Sequence, residues 1–260
     1  MLKQFLKQFN EQGRKVSLPY AILTILLCTT TINWWAVAIF MLLFGIIGNG
    51  IVGHRLIAHR QFNPALWVKR ILYLLCTLAA FAPVWAWRVQ HWHHHKHSDD
   101  NVDMHNPATT GFLNSLYGYT TKQKTNDVLF KTERNIFKEV LKDNDSRFFY
   151  RWNYRLIWTF LIILVIISPE LLFSYFVYYW IEVIRIGTTT TVLHTDFPLN
   201  YRNIDTPDKS KNNFLLGHLT FGFGWHNNHH AYPKNLDNQI QWWEFDLEAK
   251  IAKLLQLLPG

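Results

Sequence analysis

The chain has 260 residues, 49% of them hydrophobic and 16% aromatic, and a formal net charge of +8. That length suits one substantial domain or two small ones, and 12 tryptophans with 11 tyrosines suit a protein that anchors at membrane–water boundaries. The charge forms no basic stripe with interleaved stacking aromatics, which argues against a nucleic-acid partner and leaves a membrane surface or an acidic partner open. Both cysteines, Cys28 and Cys76, lie inside apolar runs, where buried thiols without a disulfide are expected.

Met1–Ser17 is polar and basic and lacks an apolar h-region, so no cleavable signal peptide is expected. Residues 18–31 and 34–52 are apolar and read as a transmembrane hairpin turning near Thr31–Trp35. The turn carries no Lys or Arg while the N-terminus is basic, which puts the N-terminus and the exit of the second span in the cytoplasm. His54 and His59 follow at that exit. Leu66–Trp87 is also apolar, but a crossing there would separate His54 and His59 from the next histidines. A buried or interfacial helix on the cytoplasmic side is therefore expected. His91-Trp92-His93-His94-His95-Lys96-His97 then puts five imidazoles in seven residues. Residues 98–147 are polar, with a helix expected around Lys131–Asp143.

A second hairpin, 154–167 and 171–186, turns at Ser168-Pro169-Glu170. Glu182 and Arg185, three residues apart near the end of its second arm, can pair or reach the inner membrane boundary. From Thr188 the chain is polar, with His194 just past the last span, a further cluster His226-Asn227-Asn228-His229-His230, and an amphipathic stretch Trp242–Leu258. The expected fold class is all-α: an integral membrane protein of four transmembrane helices in two hairpins. One domain covers 1–260, and its cytoplasmic parts, 53–150 and 188–260, form a helical cap.

The chemistry lies in the histidines. Both clusters contain His-x-x-His-His, which on a helix sets three imidazoles at i, i+3 and i+4 on one face. The candidate metal ligands are His54, His59, His91, His94, His95, His194, His226, His229 and His230. Nine exceed what one octahedral ion can use, so a dinuclear site is expected, with positions left open for oxygen. His93 and His97 point about 100° to 200° off the ligand face, toward surface or supporting roles. His105 and His218 read as ordinary histidines. Asp99, Asp100 and Asp103 are either acceptors for imidazole N–H groups or solvated loop carboxylates. Asn227 and Asn228 turn the helix or bond neighbouring backbone. Arg55 and Arg60 either hold the phosphates of an acyl carrier or, as preferred here, snorkel at the lipid boundary. Soluble di-iron oxygenases use Glu-x-x-His pairs in a helix bundle, and none occurs here in a helical segment. Nitrogen-rich ligation at a membrane face suits an oxidase acting on a lipidic substrate.

The segments HRLIAHR, HWHHHKHSDD and GFGWHNNHHAYP resemble the three histidine boxes of the membrane fatty acyl desaturases, closest to the delta-9, stearoyl-type branch. Trp242-Trp243-Glu244-Phe245-Asp246 resembles that branch's WWE-x-D segment, and Asp103-Met104-His105-Asn106-Pro107 its D-x-H-x-P loop. The resemblance runs from about Leu18 to Asp246. It implies two iron ions held by the nine histidines, O2 as oxidant and a cis double bond as product. The substrate is a fatty acyl chain carried on coenzyme A, a carrier protein or a lipid. Two positions depart from the family pattern. Thr190 stands where the family has an Asn holding a metal-bound water, and Phe223 where it usually has Glu. Trp87 matches a tryptophan lining the family's acyl tunnel. No His-Pro-Gly-Gly stretch marks a fused haem domain, so a separate electron donor such as ferredoxin or cytochrome b5 is expected, besides membrane lipid. The competing readings are a lipid hydroxylase on the same site and, from another class, a membrane metal transporter or metal-binding protein.

Overall fold

The computed structural model describes residues 32–103, 105–111, 115 and 125–260, with backbone alone at 110 and 125–132. The expected first span, 18–31, and Cys28 lie outside them. The described chain is mostly helical, with one pair of two-residue antiparallel strands, β1 (Asn200–Tyr201) and β2 (Asn212–Asn213).

Helix α1, Trp34–His59, is the axis of the molecule. The Asn33 side chain caps it by accepting from Ala36 N–H at 3.0 Å. Its first turns, Trp34–Phe40, are α-helical, and Met41–His59 is wound more widely, with i→i+5 hydrogen bonds. Around it pack α2 (Leu66–Leu78), α3 (Val84–Lys96), α7 (Pro169–Val192) and α10 (Leu247–Gln256). Phe40, Phe44, Phe160, Tyr175 and Tyr178 make an aromatic cluster near one end of α1.

The run 66–87, expected as one helix, is two. Pro83 has no N–H to continue a helix, Ala80 takes a left-handed φ of 54°, and α3 restarts after Pro83. Each half has 13 residues, about 20 Å of helix against a hydrocarbon core of about 30 Å.

A short turn, α4 (Pro107–Thr110), precedes α5 (Thr125–Val140), which bends at Glu133 (φ −108°, ψ 15°). α6 (Asn144–Ile167) starts on the Asp143 carboxylate, which accepts from Ser146 N–H at 2.8 Å. Ser168 and Pro169 end it and begin α7, as expected of a tight turn. Trp34–His59 and Asn144–Ile167 are long and apolar enough to cross a membrane. α7 matches α6 in length but carries Glu182 and Arg185, which pair at 2.7 Å as expected. Outward-facing Ile162, Ile163, Val165, Ile166 and Ile167 are exposed on α6, and Trp34 and Trp35 are exposed at the start of α1. Exposed apolar faces of this kind mark a membrane-associated protein. Beyond α7, β1, β2, α8 (Phe214–Leu219), α9 (His226–Ala231) and α10 close over one end of the helices.

Candidate metal centre

His54 and His59 are five residues apart, which on an α-helix places them about 140° from each other. The wider i→i+5 winding of α1 brings positions five apart nearly into line, and the two rings lie 5.0 Å apart. Gly53 lets the α3 helix close on this turn: a Cβ there would meet the Trp87 indole at 2.5 Å. On α3, one turn beyond Trp87, His91 and His95 face the same space, with Nε2 atoms 3.0 Å apart. His229 on α9 enters from the other side, its Nε2 3.1 Å from His54 Nε2 and 2.9 Å from His95 Nε2.

A second set forms beside the first. His194, just past α7, meets His226 with 3.0 Å between Nε2 atoms, and the His94 and His230 rings each lie 5.2 Å or less from that of His194. Two disjoint groups result. The donor atoms of His54, His59, His91 and His229 lie within 4.8 Å of one another, and so do those of His94, His194, His226 and His230. His95 joins them, touching His91 and His229 through Nε2 while its ring stacks on His230 at 4.3 Å. All nine candidate ligands therefore come together.

Carboxylates fix one ring face of the second group. His94 Nδ1 is 3.1 Å from Asp103, His194 Nδ1 is 3.1 Å from Asp99, and His230 Nδ1 is 2.6 Å from Asp208. An Nδ1–H donated outward leaves the Nε2 lone pair turned inward. Burial holds His91, His95, His226, His229 and His230 well below the ordinary imidazole pKa, with neighbouring imidazoles adding to the effect. His94 differs: burial lowers it, but the Asp103 charge and hydrogen bond prevail and raise it. Neutral imidazole is the metal-binding form.

The residues fit a metal pair. His59 Nε2, His94 Nε2 and His230 Nε2 are buried without a hydrogen-bond partner, and buried polar atoms are normally satisfied. Facing Nε2 atoms about 3 Å apart also cannot both carry hydrogen, so lone pairs converge.

The asparagines of the third box, expected to turn the helix or bond neighbouring backbone, instead tie down distant loops. Asn227 Oδ1 accepts from the N–H groups of Asn203 and Ile204, both at 3.0 Å, and Asn228 Nδ2 donates to Glu244 at 2.8 Å. Glu244 and Asp246 of the WWE-x-D segment are fully buried. Asp246 binds Arg55 through both carboxylate oxygens at 2.9 Å, and Glu248 adds a contact at 3.3 Å. Arg55 thus neither snorkels nor holds phosphates; it is fully buried between these carboxylates. Arg60 is half exposed and pairs with Glu139 at 2.7 Å. His218 is exposed and stacks edgewise on Trp225, whereas His105 is buried against His94 with its pKa lowered to about 3 by burial and the nearby His94.

The chain matches the fatty acid desaturase family model over residues 32–256. The chain belongs to that family. It is 31% identical over 87% of its length to an sn-1 stearoyl-lipid 9-desaturase of Anabaena variabilis, covering 82% of that protein. It is 33% identical over 87% of its length to the protein of the same name from Synechocystis, covering 70% of it. An acyl-CoA 5-desaturase of Anemone leveillei is 27% identical over 88% of the chain, with 71% of that protein covered. The chain is accordingly an oxidoreductase that introduces double bonds into fatty acids.

In this desaturase the two departing positions, Phe223 and Thr190, and Trp87 have definite surroundings. Phe223 is buried with its ring 5.0 Å from that of His54, and the Arg185 guanidinium lies over the Phe223 ring, 5.5 Å from its centroid. Aromatic and cation–π contacts thus stand where the family usually has a carboxylate. Thr190 Oγ1 donates back to Ile186 O at 2.9 Å, which leaves only its lone pairs for a water. Trp87 is buried, stacks on Phe81 at 5.7 Å and backs onto the first histidine group through Gly53. Asp208 escaped sequence reasoning: it is one loop carboxylate among several, far in the chain from His230.

Proposed function

We propose that the nine histidines hold two iron ions, and that the desaturase uses O2 and two externally supplied electrons to place a cis double bond at the delta-9 position of a saturated acyl chain. The supporting observation is the pair of disjoint four-histidine groups joined through His95. When bound, the iron pair would activate O2, the oxidant that removes two hydrogens from adjacent methylenes and is itself reduced to water. The protein's own groups do the rest. Asp99, Asp103 and Asp208 hold His194, His94 and His230 in the orientation that presents Nε2. Thr190 offers an acceptor to a water beside the second group. Trp87 and Phe223 make the apolar wall against which the acyl chain is positioned.

The acyl chain is proposed to be lipid-linked. Relatives at 31% and 33% identity are named lipid desaturases. A cavity of about 560 Å³ beside the first box is lined by three cations: Arg60 and Lys69, which Glu139 and Asp143 pair with at 2.7 and 2.9 Å, and Arg88, 4.0 Å from Glu139. The same reading includes four membrane spans, with both termini and the histidines on the cytoplasmic side. A ferredoxin or cytochrome b5 is the electron donor.

The test is expression with a matched donor in cells fed saturated acyl chains, followed by gas chromatography of their lipids. A new cis-monoene in glycerolipids, absent with His94→Ala, is expected. A hydroxy acid would redirect the reading to hydroxylation, and unchanged lipids with an active donor would overturn it.

A further inference from the structure

Two histidines of the second box take no part in the nine-histidine centre. His93 on α3 and His97, the residue that caps its C-terminus, are four residues apart on the side turned away from it, with rings 4.7 Å apart. They face Glu133, which stands at the bend of α5. His93 and Glu133 are 1% and 2% exposed, so water does not reconcile whatever lies between them.

The hydrogen-bond directions there conflict. His93 Nε2 is 3.3 Å from Val102 O, a carbonyl that only accepts, so Nε2 carries the hydrogen. The Nδ1 of a neutral His93 is then a lone pair, yet it faces Glu133 Oε1, another acceptor, at 3.4 Å. A cation between them removes the conflict. His97 supplies a further donor: its Nε2 is buried without a hydrogen-bond partner, and its Nδ1 lies 3.5 Å from Asp100 Oδ2. That carboxylate–imidazole pairing turns the free nitrogen inward, as around metals. One donor atom from each of His93, His97 and Glu133 lies within 4.8 Å of the others. The half-exposed Lys96 ammonium pairs with Glu133 at 3.6 Å and would turn out to solvent when an ion takes its place.

We propose that His93, His97 and Glu133 bind a third cation, a divalent d-block ion of the zinc class, separate from the nine-histidine centre. Two imidazoles and one carboxylate form a zinc-type donor set with a position left for water. The ion clamps α3, which carries three of the nine histidines, to the bend of α5. A proton shared between His93 and Glu133 is the rival occupant.

The experiment takes iron-loaded desaturase in detergent, equilibrates it with ZnCl2, removes free metal by gel filtration and counts zinc and iron per chain. Wild type, His97→Ala and Glu133→Gln are compared. One more zinc per chain in wild type than in either variant, at equal iron, is the expected result. His97 lies at the end of α3 and is partly exposed, so its variant stands alone should Glu133→Gln fail to fold. Equal zinc in wild type and His97→Ala overturns the proposal. Iron is counted in the same samples, so failure of the di-iron reading shows as low iron in all of them and leaves the zinc difference readable.

Discussion

Asp99, Asp103 and Asp208 each grip one imidazole of the second histidine group, and the geometry is close enough to matter. Losing a carboxylate behind a metal-bound imidazole lowers metal affinity by roughly 10- to 100-fold. Asp208→Ala should therefore release iron at a correspondingly lower chelator concentration, with His230 left in place. An unchanged chelator titration would show that Asp208 merely fills a loop. Six of the nine histidines are legible in the sequence because His-x-x-His-His fixes three rings on one helical face, whereas His54, His59 and His194 lie outside that pattern and rest on the resemblance to the family. Asp99 and Asp103 were half legible, being near the second box, while Asp208 was not, because its partner His230 is set by the fold of the 200–213 loop. Arg55 was misread for a related reason. Its partners Asp246 and Glu248 lie near the other end of the chain, and without them a buried arginine looks implausible.

At the scale of elements, α1 decides the first box. Five-residue spacing suits no α-helical face, and nothing in the sequence announces i→i+5 winding, so the alignment of His54 with His59 belongs to the folded helix. The break at Ala80–Pro83 is signalled by Pro83 but outweighed in the sequence by the apolar run around it. α10 docks on α1 through the buried Arg55–Asp246–Glu248 cluster. Arg55→Leu strands the Asp246 carboxylate without its cation and leaves Glu248 only Arg185, 3.9 Å away, a loss of about 3–5 kcal/mol for breaking a buried pair. A large drop in thermal midpoint and early proteolysis near residues 246–256 are expected. A midpoint close to wild type would mean the cluster is dispensable.

For the whole molecule, the buried imidazoles set a pH dependence. His91, His95, His226, His229 and His230 titrate lower when folded than unfolded, so below about 6.5 the unfolded chain binds more protons. Metal-free protein should lose stability as pH falls through that value. Glu248, raised by burial to about 7 although Arg55 and Arg185 pull it down, and His94, raised by Asp103, act oppositely, but as two groups against six once His105, lowered to about 3, is included. A thermal midpoint that rises from pH 7 to pH 5 would contradict this balance. Helical class and the second hairpin's turn were legible because apolar run length and Ser-Pro are local signals. The closing of β1, β2, α9 and α10 over the helices was not, since it rests on Asn203, Asn228 and Glu244 meeting across long loops. The claim on which the rest depends is that the nine histidines hold two irons. Iron content of protein purified from iron-replete cells tests it most directly, read beside X-ray absorption at the iron edge. Two irons per chain in an almost purely nitrogen environment are predicted. A single iron per fully folded chain, or zinc alone after reconstitution with ferrous iron, would contradict it.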